Sequence, residues 1–157
     1  MTKFLIITGT RDSGKTTTAG MVYKKLLSCA EKEGNVHLTD ENGKTLPIDD
    51  SLLENGKPKD FIAYLELKDK KVVIVSIGDY PEYLENQIKV YLDNVNYFVC
   101  CLRTRDREGS TRRMLLTNYA NYPMEEFWTV HSEDEAQKYT VKEKVVEEIV
   151  SIIISNQ

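Results

Sequence analysis

Cysteine is scarce in this chain: there are three, Cys29, Cys100 and Cys101, and two of them are adjacent. An odd number without ligand-like spacing argues against a disulfide framework and against a zinc site. Proline and glycine are also sparse, 4 and 8 in 157 residues, which disfavours collagen-like repetition and disorder. No apolar run approaches the ~18 residues that a membrane span requires. The opening stretch, MTKFLIITGTRDSGK, has too short an apolar run for a signal peptide and no small-residue cleavage site. A single domain over residues 1–157, in a reducing cytoplasmic compartment and without a membrane partner, is the expectation these absences leave.

Basic charge is short as well. The formal net charge is −4, whereas a nucleic-acid binder would usually be basic, so that partner is disfavoured. The arginines are unevenly spread. The chain has Arg11, and its other five, Arg103, Arg105, Arg107, Arg112 and Arg113, fall within eleven positions. Guanidinium forks bind phosphate in a bidentate way that ammonium groups cannot. The segment therefore reads either as a solvated charged face or as an anion-contacting one.

Periodicity gives the elements. Residues 4–8 form an apolar run suited to a strand buried on both faces. From Lys15 to Glu33 the apolar residues Ala19, Val22, Tyr23, Leu26, Leu27 and Ala30 repeat at helical spacing, with Gly34 as the stop. Residues 36–48 predict a hairpin turning at Asn42-Gly43. Residues 49–59 read as a loop or short helix. Residues 61–67 and 71–77 predict an antiparallel strand pair, and a helix follows from Pro81. Residues 95–102 are another buried strand, Ser110 and its neighbours offer a cap for a helix over 111–121, and residues 127–131 are a last short strand containing Trp128. A capping box at Thr140–Glu143 opens the final helix. The alternation predicts an α/β three-layer sandwich on a mostly parallel five-stranded sheet with an added antiparallel strand or hairpin. The 61–67 strand is its antiparallel addition, either at an edge or leading into the central strand.

One loop dominates the functional reading. Gly9-Thr10-Arg11-Asp12-Ser13-Gly14-Lys15-Thr16 is G-x-x-x-x-G-K-[ST] between an apolar strand and an amphipathic helix. Glycines let the backbone curl so that successive N–H groups face inward as an anion nest. The helix that follows adds its positive end. Lys15 is placed to reach β- and γ-phosphates, and the Thr16 hydroxyl to ligate Mg²⁺.

Residues 3–30 thus resemble the first βα unit of the P-loop nucleoside triphosphate hydrolase superfamily, with a Walker A motif at 9–16. The resemblance implies a Mg²⁺-bound nucleoside triphosphate, ATP or GTP, held by Gly9 to Thr16, with the Thr17 hydroxyl near the α-phosphate. P-loop enzymes usually carry an acid at the end of a neighbouring strand, which holds the metal through water. Here Asp79, two residues past the apolar run ending at Ile77, is the candidate. It reads equally as a turn or cap residue before Pro81. Arg103-Thr104-Arg105-Asp106 keeps only the final Asp of the guanine-reading Asn-Lys-x-Asp motif of GTPases. Arg103 to Arg113 also resemble the Arg-bearing lid of small nucleotide and shikimate-type kinases, in which Arg103 and Arg105 would stabilise transferred charge.

The remaining candidates are weaker. Cys100, Cys101 and Trp128 read as core residues, and His37 as part of the hairpin. His131 reads as a polar loop residue or a general base. Asp40 belongs to an acidic solvated stretch but could face the nucleotide. Three functions follow: a small NTP hydrolase or switch, a nucleotide or metabolite kinase, or a non-enzymatic nucleotide-regulated adaptor. A homodimer or protein partner is compatible with all three, because arginines are often supplied in trans.

Overall fold

β1 (Lys3–Gly9) takes the apolar run and buries it on both sides. In the computed structural model, which describes residues 1–10, 14–30, 36–49, 52–54, 57–104, 109–129 and 134–155, residues 4–7 have no exposed surface. Alternate residues feed two separate cores. Leu5 and Ile7 join the core beneath α1 (Lys15–Leu27) and α4 (Glu135–Ser155), and Phe4 and Ile6 the core beneath α2 (Pro81–Tyr91) and α3 (Thr111–Asn118). Helices therefore lie against both faces of the sheet.

The remaining strands of this sheet are β2 (Val36–Thr39), β5 (Ile62–Glu66), β6 (Lys71–Val75), β7 (Tyr97–Arg103) and β8 (Met124–Trp128). Their order is β2-β5-β6-β7-β1-β8. β6, β7, β1 and β8 pair in parallel, while β5 runs antiparallel to both β6 and β2. The sheet is thus mixed, mostly parallel and six-stranded, five strands with part of the predicted hairpin added to them. The extra strand is the first arm of the Asn42-Gly43 hairpin, which pairs with β5 along its full length. The second arm contributes only a bridge between Thr39 and Thr45, next to a turn in which Gly43 is left-handed at φ 83°. A separate two-stranded ladder, β3 (Leu53–Glu54) with β4 (Lys57–Pro58), occupies part of the expected loop at 49–59.

Other boundaries move for local reasons. α1 stops at Leu27, and Gly34, the predicted stop, lies outside the described residues. β8 begins three residues earlier than expected, in register with Phe4. α4 starts at Glu135 rather than at Thr140. The Asp134 carboxylate accepts from the amides of Ala136 (3.0 Å) and Gln137 (3.3 Å), so an earlier Asp cap replaces the predicted capping box. The Thr140 hydroxyl instead donates to the Ala136 carbonyl inside the helix. Trp128 is not a core residue: β8 is an edge strand, the ring is half exposed, and the Arg112 guanidinium lies 5.9 Å from its centroid. No helix among the described residues is long and apolar enough to cross a membrane.

The strand order has one consequence for the site. β7, not β6, lies beside β1, so the antiparallel pair β5–β6 feeds a strand one step removed from the glycine loop. Beyond their paired residues β6 and β7 close together. A Cβ built on Gly78 would overlap the Cys101 carbonyl oxygen and lie 2.7 Å from its carbon. Only glycine fits that approach without backbone movement. Gly78→Ala should therefore cost on the order of 3 kcal/mol of stability. Urea unfolding measures it, and a loss below about 0.5 kcal/mol would contradict the packing described.

Candidate functional site

The carboxyl ends of β1, β6 and β7 border a cleft of about 630 Å³, the position where ligands collect in open α/β sheets. Its floor is the junction of β1 and α1. Gly14 holds a left-handed backbone at φ 88°, and no side chain caps the helix that starts after it. No acidic residue stands in the first turn, so the positive end of α1 is turned into the cleft without a carboxylate of its own helix. The Lys15 ammonium folds back and donates to the carbonyls of Gly9 (3.2 Å) and Thr10 (2.8 Å). Thr16 and Thr17 complete this wall.

The opposite wall supplies acids. Asp60 precedes β5, and because β5 runs antiparallel, its beginning meets the carboxyl end of β6. The Ser76 hydroxyl donates to Asp60 Oδ1 (3.1 Å) and accepts the Phe61 amide (2.8 Å). The Thr16 hydroxyl points at the same carboxylate oxygen, 3.5 Å away. Asp79 lies along the cleft, half exposed, in a two-point pair with Arg103: Nε to Oδ1 at 2.9 Å and Nη2 to Oδ2 at 3.4 Å. Glu41, Lys57, Pro58 and Tyr80 also line the cleft, and Lys138 and Lys142 reach it from α4. Among the described lining residues five cations face three carboxylates. A chain of net charge −4 thus turns a positive surface toward this cleft, which favours an anionic ligand there.

The structure brings Gly14, Lys15, Thr16, Thr17, Asp79 and Arg103 into one cleft, with Gly9 and Thr10 joined to it through Lys15. Arg11, Asp12, Ser13, Arg105, Arg107 and His131 lie outside the described residues. Arg112 faces elsewhere, with Nη2 2.8 Å from Glu126 Oε1. Glu126 Oε2 also accepts the Thr8 hydroxyl at 2.9 Å. Asp40 closes the hairpin turn by accepting from the amides of Asn42 and Lys44, each at 2.9 Å. Asp60, Lys138 and Lys142 escape the sequence reading. The signal for Asp60 was the antiparallel pair itself, which puts the start of β5 beside the carboxyl end of β6. The signal for the lysines was their i, i+4 spacing ahead of the apolar stripe of α4.

No group of three or more His, Cys, Asp or Glu that could hold a metal occurs among the described residues. The donors present, Thr16 with Asp60 and, further along, Asp79, are hard oxygens in small number. That set suits Mg²⁺ arriving with phosphate oxygens and water rather than a dedicated protein cage.

Cys101 sits beneath the Lys15 end of the loop, its thiol 3.5 Å from the Lys15 carbonyl. Burial pushes that thiol up to about 12. Lys15 opposes the shift, and Asp60 and Asp79 add to it. Burial also raises the Cys100 thiol well above the ordinary range. Comparison with known proteins returns no matching family model, no matching curated protein and no matching solved structure.

The raised thiols set a pH expectation. A group whose pKa is raised stays protonated until the pH approaches that value, and the thiol is the unreactive form. At about pH 8 a thiol-specific disulfide reagent should therefore titrate one cysteine in the native protein, the exposed Cys29, and all three in guanidinium. A second fast thiol before unfolding would contradict the burial of Cys100 and Cys101.

Proposed function

We propose that the cleft binds a Mg²⁺-loaded nucleoside triphosphate, ATP or GTP, and that the protein hydrolyses it as a small three-layer P-loop NTPase. The observation that carries the reading is the junction of β1 and α1. A left-handed Gly14 opens a helix with no acidic residue in its first turn, and the next residue is a lysine folded back over it. Helix N–H groups, the helix dipole and an ammonium group then act on one anion. On this reading Lys15 exchanges its two carbonyl acceptors for phosphate oxygens, and Thr16 and Asp60 hold the metal side. Asp79 keeps Arg103 turned along the cleft, where its guanidinium meets charge that develops on the transferred phosphoryl group. When bound, Mg²⁺ would neutralise phosphate charge. Arg105 remains a candidate for the same task as Arg103. A cytoplasmic location agrees with the three unpaired cysteines.

A kinase is the second reading. It is favoured by the lining of the cleft, in which Glu41, Lys57, Pro58 and Tyr80 stand beside the Gly14–Thr17 wall and could contact an acceptor. Incubation with γ-labelled ATP or GTP and Mg²⁺, with and without a metabolite pool, separates the two. Release of labelled phosphate alone supports hydrolysis, and label on a metabolite supports transfer. Tight binding with neither outcome supports a nucleotide-regulated adaptor.

Lys15→Ala should weaken triphosphate binding by roughly 100-fold, the worth of a lost charge-assisted contact. Asp60→Asn should leave binding of metal-free nucleotide nearly intact but lower the Mg²⁺-dependent rate by roughly 100-fold. Calorimetry and phosphate release measure these. Wild-type rates in Asp60→Asn, with a large loss in Asp79→Asn, would move the metal-side role to Asp79.

A further inference from the structure

α4 carries an apolar stripe that seats it on the core. Val145, Val146, Ile149 and Ile153 are buried, and they recur at intervals of three and four. Traced toward the helix start at the same spacing, the stripe passes through Lys142 and then Lys138. The character of the face changes there: none of the side chains at 136–144 is buried, so this part of α4 stands beyond the core. Both lysines line the cleft, and the Lys142 side chain lies across the backbone of Gly14. A Cβ placed on Gly14 would come 2.8 Å from Lys142 Nζ.

An ammonium gains nothing from the positive end of a helix itself. A phosphate bound there would be held at once by the α1 amides, Lys15 and the two α4 lysines. Lysine at 138 and 142 also has a cost, because like charges at i, i+4 repel on a helix. We infer that Lys142 and Lys138 form a second cationic arm of the phosphate site, so that the amino-terminal half of α4 grips the polyphosphate directly. This rests on the nucleotide reading above and adds to it a direct contact from the last helix of the fold. It also makes polyphosphate charge, rather than the nucleoside, the feature that α4 recognises.

Calorimetry with MgATP and with inorganic tripolyphosphate tests the inference on the whole protein, with hydrogen exchange followed over residues 135–142. Lys142→Met should weaken both ligands by about tenfold or more, and Lys142→Arg should restore them to within about threefold. Either ligand should slow exchange in residues 135–142 of the wild-type protein. The unliganded melting temperature of Lys142→Met should stay within about 2 °C of the wild type.

Wild-type affinity in both Lys142→Met and the Lys138→Met/Lys142→Met double variant, with affinity lost in Lys15→Ala, would overturn the α4 arm and leave the nucleotide reading standing. A loss in Lys142→Met that Lys142→Arg does not restore, or one that comes with an early melt, would assign Lys142 to packing and also overturn it. If the wild type bound neither MgATP, MgGTP nor tripolyphosphate, both proposals would fall.

Discussion

Gly14 holds φ at 88° where β1 gives way to α1, and the character of the cleft follows from that single backbone conformation. A left-handed residue turns the chain sharply enough for the helix to start at the carboxyl end of its own strand. A side chain there would meet strain, and it would also meet Lys142. The helix cannot then be capped by a side chain at Gly14, because glycine has no side-chain oxygen to offer. Its amide end stays directed at the space between strands. Lys15, one residue on, bonds to the carbonyls of Gly9 and Thr10. These contacts tie the end of β1 to the start of α1 and keep an ammonium at the same point.

The acidic wall depends on a second constraint, the direction of β5. A parallel strand would bring its carboxyl end to the cleft and leave Asp60 at the far side of the sheet. The tight turn between Leu67 and Lys70, closed by a 2.7 Å amide-to-carbonyl bond, forces the reverse direction instead. Asp60 therefore arrives beside Ser76, which fixes it through a hydroxyl that also bonds the Phe61 amide. β7 closes the same region from the other side, and the contact of Gly78 with the Cys101 carbonyl leaves no room for a wider gap. Asp79 then emerges one residue later and meets Arg103 at the end of β7. Asp60 and Asp79 thus come from opposite chain directions, one before a strand and one after.

That difference explains what could be read in advance. β1, α1, the β5–β6 pair, α2 and β7 were legible because strong apolar periodicity and short connections fix them. The Gly14–Thr17 wall of the cleft was legible because those residues follow one another in a single motif. Asp60 was not, since the expectation of an acid after a strand cannot find one that precedes an antiparallel strand. Lys138 and Lys142 were hidden for another reason: they lie far along the chain from the loop, on a helix whose start was placed five residues late. Trp128 was misplaced because an apolar run does not reveal whether its strand is at an edge. The hairpin was legible from its turn, whereas the strand to which its first arm attaches, β5, was not.

The two ends of α4 show how charge and burial divide the work. At the carboxyl end, the Lys70 ammonium donates to the Ile153 carbonyl at 2.8 Å and lies over the Tyr97 ring. A cation there complements the negative end of the helix, and the Lys70 side chain is almost wholly buried. That end is tied to the start of β6. The amino-terminal end has the opposite arrangement, with Lys138 in the first turn, where a cation opposes the dipole, and an Asp cap at 134 supplying the favourable charge. A helix whose only task was to cover the sheet would gain from an acidic residue at 138. Instead the half beyond the core carries two lysines that line the cleft, Lys142 lying against Gly14. The firmly seated end fixes where the other end points, so a positive surface is held over the cleft of an acidic protein by packing some distance away.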